Sequence, residues 1–419
     1  MNFTRKQRQI MHDKLLIEST ERCQAEPYFL NCGRMLSINS SLQLPHEDAR
    51  ILFRSRRCYV CKEKYNKVHH FYHQMCPTCA SENYKHRNQT GNLEGKIALV
   101  TGGRIKIGYE TSLKLLRAGA QVIVTTRFEK DAAYRFSQEA DFHVWQNRLI
   151  IYGLDLRHVP LIEAFTTYLL DHYQALDIII NNAAQTIKKH PEYFEYLSHQ
   201  EQRPLEKQQT QLLGKFRDTS LEAEKLRLIH INDDTHSKNL PTRNYNCDEF
   251  NEPVDTRATN SWTDTLESVE TLELVETQVI NAIAPFIINS RLKPLLKKST
   301  HTEKFIINVS SMEGQFNRKN KTHRHPHTNM SKASLNMMTR TSASDYSDDK
   351  IYMNSVDTGW VTEENPLPIK VRSRISGKVP PLDCIDGAAR ILAPIFDVLE
   401  DNKSPAYGKF FKDYRETNW

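Results

Sequence analysis

The chain has 419 residues, of which 39% are hydrophobic and 26% are charged, and its mean hydropathy is negative, as in soluble globular proteins. No run approaches the roughly 18 consecutive apolar residues that a membrane span needs, and a net charge of +6, mixed with acidic residues along the chain, does not favour nucleic-acid binding. The length exceeds that of a usual single domain, so we expect one large domain and a smaller module.

The N-terminal region, residues 1–90, begins with basic residues and continues with polar and acidic ones. Because no apolar signal core follows the basic start, we expect no secretory signal and a cytoplasmic location. Residues 9–17 carry a short helical pattern, and the remainder of residues 1–50 is polar without a clear period.

Four of the eight cysteines form two closely spaced pairs, Cys58-Tyr-Val-Cys61 and Cys76-Pro-Thr-Cys79, with 14 residues between them. Four thiolates in this layout suit a tetrahedral Zn²⁺ ion, which stabilises modules too small to have a core of their own. We therefore predict a structural zinc ribbon at about residues 51–85. The alternatives are four ordinary cysteines, a redox pair, or a site in which one of the histidines between the pairs replaces a cysteine.

From residue 96 onward, short apolar runs alternate with amphipathic helical stretches, which is typical of an α/β fold with a doubly wound parallel sheet. The predicted strands are 97–100, 121–125, 149–152, 178–180, 305–309, 351–356 and 407–411. The predicted helices include 109–118, 275–296 and 331–345.

A long interval after the fourth strand breaks this alternation. Residues 185–274 are rich in Gln, Asn, Asp, Thr and Arg. A connection of this length in a compact α/β unit is either a functional insertion or partly disordered. Ligands bind at the carboxyl ends of the strands in such sheets, so the insertion is placed to cover or reshape an active site.

A glycine-rich loop, Thr101-Gly-Gly-Arg-Ile-Lys-Ile-Gly108, follows the first strand and opens a helix. In this context a helix N-terminus and backbone N–H groups can bind a pyrophosphate. Together with Asp155-Leu156 and Asn181-Asn-Ala-Ala184, this loop resembles the short-chain dehydrogenase/reductase family. The resemblance covers about residues 93–419 and implies a Rossmann-type domain over residues 91–419.

The resemblance also implies a dinucleotide site. Gly102 and Gly108 would line the pyrophosphate. Lys106 replaces the middle glycine of the family's loop, and its ammonium could balance phosphate charge; the alternative is a lysine directed to solvent. The implied cofactor contacts are Gly102, Gly103, Arg104, Lys106, Ile107, Gly108, Thr126, Arg127, Asp155, Leu156, Asn182, Ala183, Lys332 and Thr362.

The end of the second predicted strand indicates which dinucleotide is preferred. NAD-selective sites place an acidic residue there to accept a hydrogen bond from the ribose 2′-hydroxyl, and this chain has none. Arg127, supported by Thr126 and Arg104, has the planar fork that suits a 2′-phosphate. We therefore predict NADP(H) as the cofactor.

Three of the family's four catalytic positions are matched, by Ser311, Lys332 and Asn281, and the tyrosine position is occupied by Thr328. An aliphatic hydroxyl is a poor general acid because its pKa lies far above the working pH. We predict that His327 supplies the proton in its place. Glu313 and Asp357 are other candidates, and a surface histidine is the alternative interpretation.

The sequence thus predicts an NADP(H)-dependent oxidoreductase that transfers hydride to or from the carbonyl or alcohol of a small-molecule substrate. The alternative is a catalytically inactive nucleotide-binding scaffold or redox sensor that contacts a protein partner through the zinc ribbon or the insertion. The family also suggests a homo-oligomer.

Overall fold

The computed structural model describes residues 4–24, 50–216, 246–318, 321–400 and 403–419. The middle of the predicted insertion, 217–245, and much of the N-terminal region, 25–49, lie outside the described residues. The strands are β1 Ile51–Arg57, β2 Lys64–Lys67, β3 Ile97–Thr101, β4 Gln121–Thr126, β5 Leu149–Gly153, β6 Ile178–Asn181, β7 Lys304–Ser310, β8 Ile351–Asp357, β9 Phe410–Lys412 and β10 Arg415–Thr417.

The helices alternate with the strands as the sequence predicts. They are α1 Arg5–Glu18, α2 Glu21–Gln24, α3 Pro77–Arg87, α4 Lys106–Arg117, α5 Glu129–Ser137, α6 Phe142–Trp145, α7 Val159–His172, α8 Pro191–Glu201, α9 Lys207–Gln211, α10 Thr271–Gln278, α11 Ala284–Lys297, α12 Pro326–Ser347, α13 Leu367–Ile375 and α14 Cys384–Leu399. A π-helical segment, Val279–Ile283, joins α10 to α11 without interruption.

Within the described residues the central sheet has eight strands in the order β10-β9-β8-β7-β6-β3-β4-β5. All neighbouring pairs are parallel except β9 with β10. The strand order reverses between β3 and β6, which opens a crevice at the carboxyl ends of these two strands. This sheet confirms the predicted doubly wound, Rossmann-type fold.

The sheet is buried on both faces because successive strand residues point to opposite sides. Leu99 packs in a cluster with Phe165 of α7, on the face that also carries α11. Its neighbour Val100 packs in the other cluster, with Leu113 of α4, on the face that carries α14. Continuous apolar runs therefore become central strands.

Among the described residues, the helical stretch Thr271–Lys297 is long and apolar enough to cross a membrane by length and composition. Half of its apolar window is buried inside the fold, where α11 packs against α7 and the sheet. Packing in the core of the domain therefore accounts for the apolar composition of this helical stretch.

The cysteine-containing module consists of the antiparallel strands β1 and β2 and the helix α3. Its apolar cluster is shared with the large domain, because Cys58 and Cys79 pack together with Val361 and Leu382. The Tyr72 hydroxyl also donates to Asp386 at the start of α14, at 2.5 Å. The module is therefore packed onto the dinucleotide-type domain.

The described parts of the insertion pack against the large domain. Leu213 forms a parallel bridge with Ile151 of β5. Glu252 binds the buried guanidinium of Arg104 through both of its oxygens, at 2.7 and 2.9 Å, and Asp131 binds the same guanidinium at 2.6 Å. The insertion is thus attached beside the glycine-rich loop.

Replacing Glu252 by alanine should destabilise the fold. Burial raises the pKa of Glu252, but Arg104, Tyr193 and Arg135 outweigh it and hold the pKa below its ordinary value. Removing the carboxylate leaves the buried Arg104 guanidinium with Asp131 and the Tyr193 hydroxyl as its partners among the described residues, so we expect a loss of about 3 kcal/mol in the free energy of unfolding. Urea unfolding of Glu252→Ala at neutral pH measures this loss.

The exposed neighbour Glu249 provides the control, since Glu249→Ala should change the free energy by less than about 0.5 kcal/mol. A carboxyl group with a lowered pKa stabilises the fold above its unfolded-state pKa, and this contribution disappears as the pH falls through the folded-state pKa. The difference between wild type and Glu252→Ala should therefore shrink in acid. Equal free energies of unfolding for Glu252→Ala and Glu249→Ala at neutral pH would contradict the prediction.

Candidate functional site

A cavity of about 1760 Å³ lies at the carboxyl ends of the parallel strands. Its walls come from the glycine-rich loop, the ends of the central strands, the insertion and the cysteine module. Three predicted site residues, Gly103, Asn281 and His327, are not among the residues that line it. The predicted residues that do line it are Gly102, Arg104, Lys106, Ile107, Gly108, Thr126, Arg127, Asp155, Leu156, Asn182, Ala183, Ser311, Lys332 and Thr362.

The glycine-rich loop is held tightly against the end of β6. The side-chain amide of Asn182 donates to the carbonyl oxygens of Thr101 and Gly102, at 3.1 Å each. A Cβ atom at Gly108 would lie 2.3 Å from the Gly102 carbonyl oxygen and 2.4 Å from the Asn182 amide nitrogen. Only glycine fits at this position, and the loop backbone stays open to the cavity.

Lys106 adopts a left-handed backbone conformation, with φ of +55°, as the first residue of α4. That conformation costs a residue with a side chain about 1–2 kcal/mol. The ammonium group lies 3.8 Å from a carboxylate oxygen of Glu364 and above the ring of Phe250. The side chain therefore lines the cavity and pairs with Glu364, while 27% of it stays exposed.

Glu364, which the sequence did not single out, is the anion in this part of the cavity. Burial raises its pKa, but the nearby Lys106, Lys189 and Lys370 outweigh burial and lower the pKa to about 2. The Thr362 hydroxyl also donates to this carboxylate, at 2.7 Å. Lys106, at 3.8 Å, thus pairs with this carboxylate, and the charges of Lys189 and Lys370 also favour its ionised form.

The Arg127 guanidinium lines the cavity, 5.5 Å from the ring centroid of Phe128 and 5.4 Å from that of Phe194. No carboxylate within the described ranges lies within 4.0 Å of its guanidinium. Burial lowers the pKa of Arg127, although the neighbouring Asp155 opposes the shift. By contrast, the Arg104 guanidinium is already bound by two carboxylates.

The Asp155 carboxylate is held by a neighbouring arginine. The Arg157 guanidinium donates to both Asp155 oxygens, with contacts of 3.0 and 2.5 Å. Burial raises the pKa of Asp155, but Arg157 and Arg127 outweigh burial and hold it below its ordinary value. Asp155 therefore fixes an ion pair at the cavity wall, beside Leu156.

Ser311, Thr328 and Lys332 share the inner end of the cavity. The Ser311 oxygen accepts a hydrogen bond from the Glu313 N–H at 3.2 Å, so its own proton remains able to donate. The Thr328 hydroxyl, in a residue that is 4% exposed, has no hydrogen-bond partner within the described ranges. Thr328 and Lys332 are four positions apart in α12 and therefore lie on the same face of this helix.

The Lys332 ammonium is buried and donates to the carbonyl oxygen of Val309 at 2.8 Å. Burial lowers its pKa to about 8. Lys189, from the insertion, has a similar environment in the same cavity, and burial together with Lys106 lowers its pKa to about 8.

Asn281 lies in the π-helical segment and is fully buried. Its side-chain oxygen accepts from the Gln185 N–H at 2.7 Å, and its amide nitrogen donates to the Gln185 carbonyl and to the Ser331 hydroxyl. Asn281 therefore fastens the chain after β6 to α12. It positions the site and does not line the cavity.

The placement of His327 corrects the prediction that it reaches the site. The side chain is 1% exposed, its Nε2 atom lies 3.7 Å from Glu273, and neither ring nitrogen forms a hydrogen bond. Burial lowers its pKa, although Asp264 opposes the shift. Thr328, the next residue, lines the cavity instead.

Two other residues proposed from the sequence are paired. The Asp357 carboxylate accepts from Lys412 at 3.0 Å and from the Gly359 N–H at 2.8 Å. Glu313 forms an ion pair with Arg318. Both line the cavity and both are already engaged by cationic side chains.

Sequence reasoning missed Tyr59, which belongs to the cysteine module but lines the cavity. Its hydroxyl oxygen accepts a hydrogen bond from the Trp360 N–H at 2.8 Å. The two residues are 301 positions apart in sequence, so no local pattern could have indicated the contact.

The four predicted metal ligands do come together. The sulfur atoms of Cys58, Cys61, Cys76 and Cys79 all lie within 4.8 Å of one another. The Cys61 and Cys76 sulfurs are 3.8 Å apart, close to the separation of about 3.8 Å expected for tetrahedral Zn–S bonds of about 2.3 Å. Burial and the neighbouring sulfurs raise the pKa of Cys79, and a bound dication would offset that crowding.

Comparisons with known proteins agree with this architecture. A family model described as short chain dehydrogenase matches residues 96–205. An uncharacterized protein of Acanthamoeba polyphaga mimivirus is 34% identical over 378 residues, which cover 86% of this chain and 74% of the relative. The human dehydrogenase/reductase SDR family member 13 is 38% identical over 96 residues, and this match covers 22% of the chain and 24% of the human protein.

Among solved structures, an NADPH-bound carbonyl reductase from chicken fatty liver is 19% identical, with a TM-score of 0.49 and coverage of 78% of this chain and 100% of that one. The sheet order, the glycine-rich loop and the family match identify the class. The chain belongs to the short-chain dehydrogenase family, whose members are oxidoreductases.

A zinc ion in the cysteine cluster should be removable by changing one ligand. We expect one Zn²⁺ per chain in the wild type and strongly reduced zinc content in Cys76→Ser, because three thiolates bind the ion much less tightly than four. Elemental analysis of the purified proteins measures this. Cys247→Ser, which changes a cysteine of the insertion, is the control and should retain the metal; equal zinc content in all three proteins would argue against the site.

Proposed function

We propose that the chain is an NADP(H)-dependent oxidoreductase that transfers hydride to or from the carbonyl or alcohol of a small molecule. The observation that carries the proposal is a single cavity that contains the glycine-rich loop at one side and Ser311 with Lys332 at its inner end. The tight packing at Gly108, where a Cβ atom would meet the Gly102 carbonyl oxygen and the Asn182 amide, holds the start of α4 at the cavity wall, where its N–H groups can bind a pyrophosphate. When bound, NADPH supplies the hydride.

The preference for NADP(H) is supported by Arg127. Its guanidinium lines the cavity near two aromatic rings and has no carboxylate partner in the part of the chain that the structure describes, so its charge is available to a ligand. Arg104, whose guanidinium is bound by Glu252 and Asp131, serves to hold the insertion. A 2′-phosphate would therefore be bound by Arg127 and the adjacent Thr126.

The inner end of the cavity supports a carbonyl or alcohol substrate. Ser311 can donate its proton to the substrate oxygen because the Glu313 N–H already occupies one of the serine lone pairs. Lys332 has two further N–H groups beyond the one that binds Val309, and these can hold ribose hydroxyls. Thr328, with its unpaired hydroxyl, can add a further hydrogen bond to the same oxygen or to a water molecule.

The second candidate is a nucleotide-binding protein without turnover, and the environment of Thr328 favours it. Among the described residues the Thr328 hydroxyl has no hydrogen-bond partner that would bring it near a working pKa, and the His327 ring does not line the cavity. Oxidation of NADPH in the presence of aldehydes and ketones separates the two candidates. In either case we propose a reducing, cytoplasmic setting, in which the cysteine thiolates remain available to a metal.

Reversing the charge of Arg127 should reverse the cofactor preference. In the wild type we expect NADPH to bind more tightly than NADH, and Arg127→Asp should weaken NADPH binding about 10- to 100-fold, because a charge-assisted phosphate contact is lost. NADH binding should stay the same or improve, since a carboxylate can accept from the 2′-hydroxyl. Fluorescence titration of both dinucleotides measures these affinities.

Arg203→Asp is the matched control, because Arg203 carries the same charge and lies over the ring of Tyr134 instead of in the cavity wall. It should leave the ratio of the two affinities unchanged. Failure of the wild type to bind either dinucleotide would overturn the proposed function, and an unchanged ratio in Arg127→Asp would overturn the assignment of Arg127.

Dinucleotide affinity should fall as the pH rises through about 8, because burial lowers the pKa of both Lys332 and Lys189 to about 8. Each ammonium is charged below this pH and loses its charge above it, so attraction for an anionic ligand decreases as the pH increases. NADPH titrations from about pH 6 to about pH 10 should show the inflection.

Single variants distinguish the contributions of Lys332 and Lys189 to NADPH affinity. Lys332→Met and Lys189→Met should each lower the affinity near neutral pH and flatten the part of the pH profile that belongs to the lysine removed. A wild-type profile without any change near pH 8 would contradict the contribution of both ammonium groups.

A further inference from the structure

The cysteine module contributes a side chain to the wall of the cavity. Tyr59 lies between the first two cysteines of the cluster, and its hydroxyl oxygen accepts from the Trp360 N–H at 2.8 Å. The same oxygen would lie 3.2 Å from a Cβ atom at Gly359. Tyr59 thus packs directly on the segment that follows β8.

This segment lies beside the inner end of the cavity. Gly359 has a φ of +79°, and its N–H donates to Asp357 at 2.8 Å. Gly359, Trp360 and Thr362 all line the cavity. The position of this backbone therefore helps to set the width of the proposed dinucleotide site.

The cysteine module also binds the C-terminal end of the segment that follows Gly359. Gln74 donates to the Val379 carbonyl oxygen at 2.8 Å, and Arg87 donates to Asp383 at 2.6 Å. Residues 359–383, which include α13 and the cavity residue Glu364, are thus bound to the module at both ends. A change in the module would move both attachments of this segment.

The cysteine cluster joins the turn that carries Tyr59 to the start of α3. The other described contacts of the module include its two-stranded sheet, the apolar cluster it shares with the large domain, and a small cluster in which Leu52 and Val68 pack against Leu16 of α1. Modules of this size obtain much of their folding free energy from the bound metal. Without a metal, the turn that carries Tyr59 keeps its backbone hydrogen bonds, such as that from the Tyr59 N–H to the Gln74 carbonyl oxygen, but loses the constraint that ligation of the four sulfurs would add.

We propose that Tyr59 is a positioning residue of the dinucleotide site and that it couples metal binding at the cysteine cluster to dinucleotide binding in the cavity. The inference rests on the proposed function. Because coupling between two binding sites is reciprocal in free energy, the metal should increase the affinity for NADPH, and NADPH should increase the affinity for the metal by the same factor.

The first test removes only the hydroxyl group. Tyr59→Phe should raise the dissociation constant of NADPH about 2- to 10-fold, since one hydrogen bond to the segment is lost. It should also increase hydrogen exchange at the Trp360 amide, whose acceptor is absent. Tyr65→Phe is the matched control, because Tyr65 donates to a backbone carbonyl within the same module, that of His73, at 3.0 Å, and does not line the cavity.

The second test changes the metal. Chelation of zinc from the wild type should raise the dissociation constant of NADPH by at least about 10-fold, and added Zn²⁺ should restore it. Circular dichroism establishes that the large domain stays folded throughout. In Tyr59→Ala the effect of zinc removal on the dissociation constant should be smaller, because the connection between the two sites has already been broken.

The outcomes separate this inference from the proposed function. If the zinc-loaded wild type binds no NADPH, the proposed function fails and the inference fails with it. If NADPH binds but Tyr59→Phe behaves like Tyr65→Phe, or zinc removal leaves the affinity unchanged, only the inference is overturned. Faster exchange at Trp360 together with weaker binding in Tyr59→Phe supports it.

Discussion

The close contact between the glycine-rich loop and the end of β6 is the constraint on which the rest of the site depends. The Asn182 amide binds two carbonyl oxygens of the loop, and Gly108 leaves no room for a side chain between them. This contact fixes where α4 begins, and so where its N-terminal N–H groups point. It also holds β3 against β6 at the point where the strand order reverses.

Around this contact the cavity collects positive charge that is partly removed from water. Arg127, Lys106, Lys189 and Lys332 all line it, and burial alone would make each of these cations costly. Glu364 offsets part of that cost at one end, where Lys106 pairs with it and two further lysines favour its ionised form. An anionic ligand would compete with this carboxylate for the same ammonium groups. The left-handed backbone at Lys106, where glycine would be free of strain, is the conformational cost of placing a cation there.

The features that the sequence predicted are those encoded by neighbouring residues. Apolar runs identified the strands, the glycine spacing identified the loop, and the paired cysteines identified a cluster that the fold assembles. The prediction that His327 reaches the cavity was wrong because residues that are consecutive in sequence point in different directions on a helix. Successive helical residues are about 100° apart, so the ring beside Thr328 points into the interior while Thr328 faces the cavity. The contacts of Tyr59, Glu252 and Glu364 join distant segments, and no local pattern encodes them.

The short bridge between Leu213 and Ile151 has a consequence for association between copies of the chain. An exposed edge strand is a template for pairing with another sheet, and proteins block such edges with covering segments or charged short strands. Here residues 212–214 cover β5, and the opposite edge ends in the three-residue strand β10, which carries Arg415 and Glu416. Both sheet edges are thereby protected from continuation into a larger sheet. The exposed apolar side chains of Phe286 in α11 and Met337 in α12 lie on the helical layers, away from both edges.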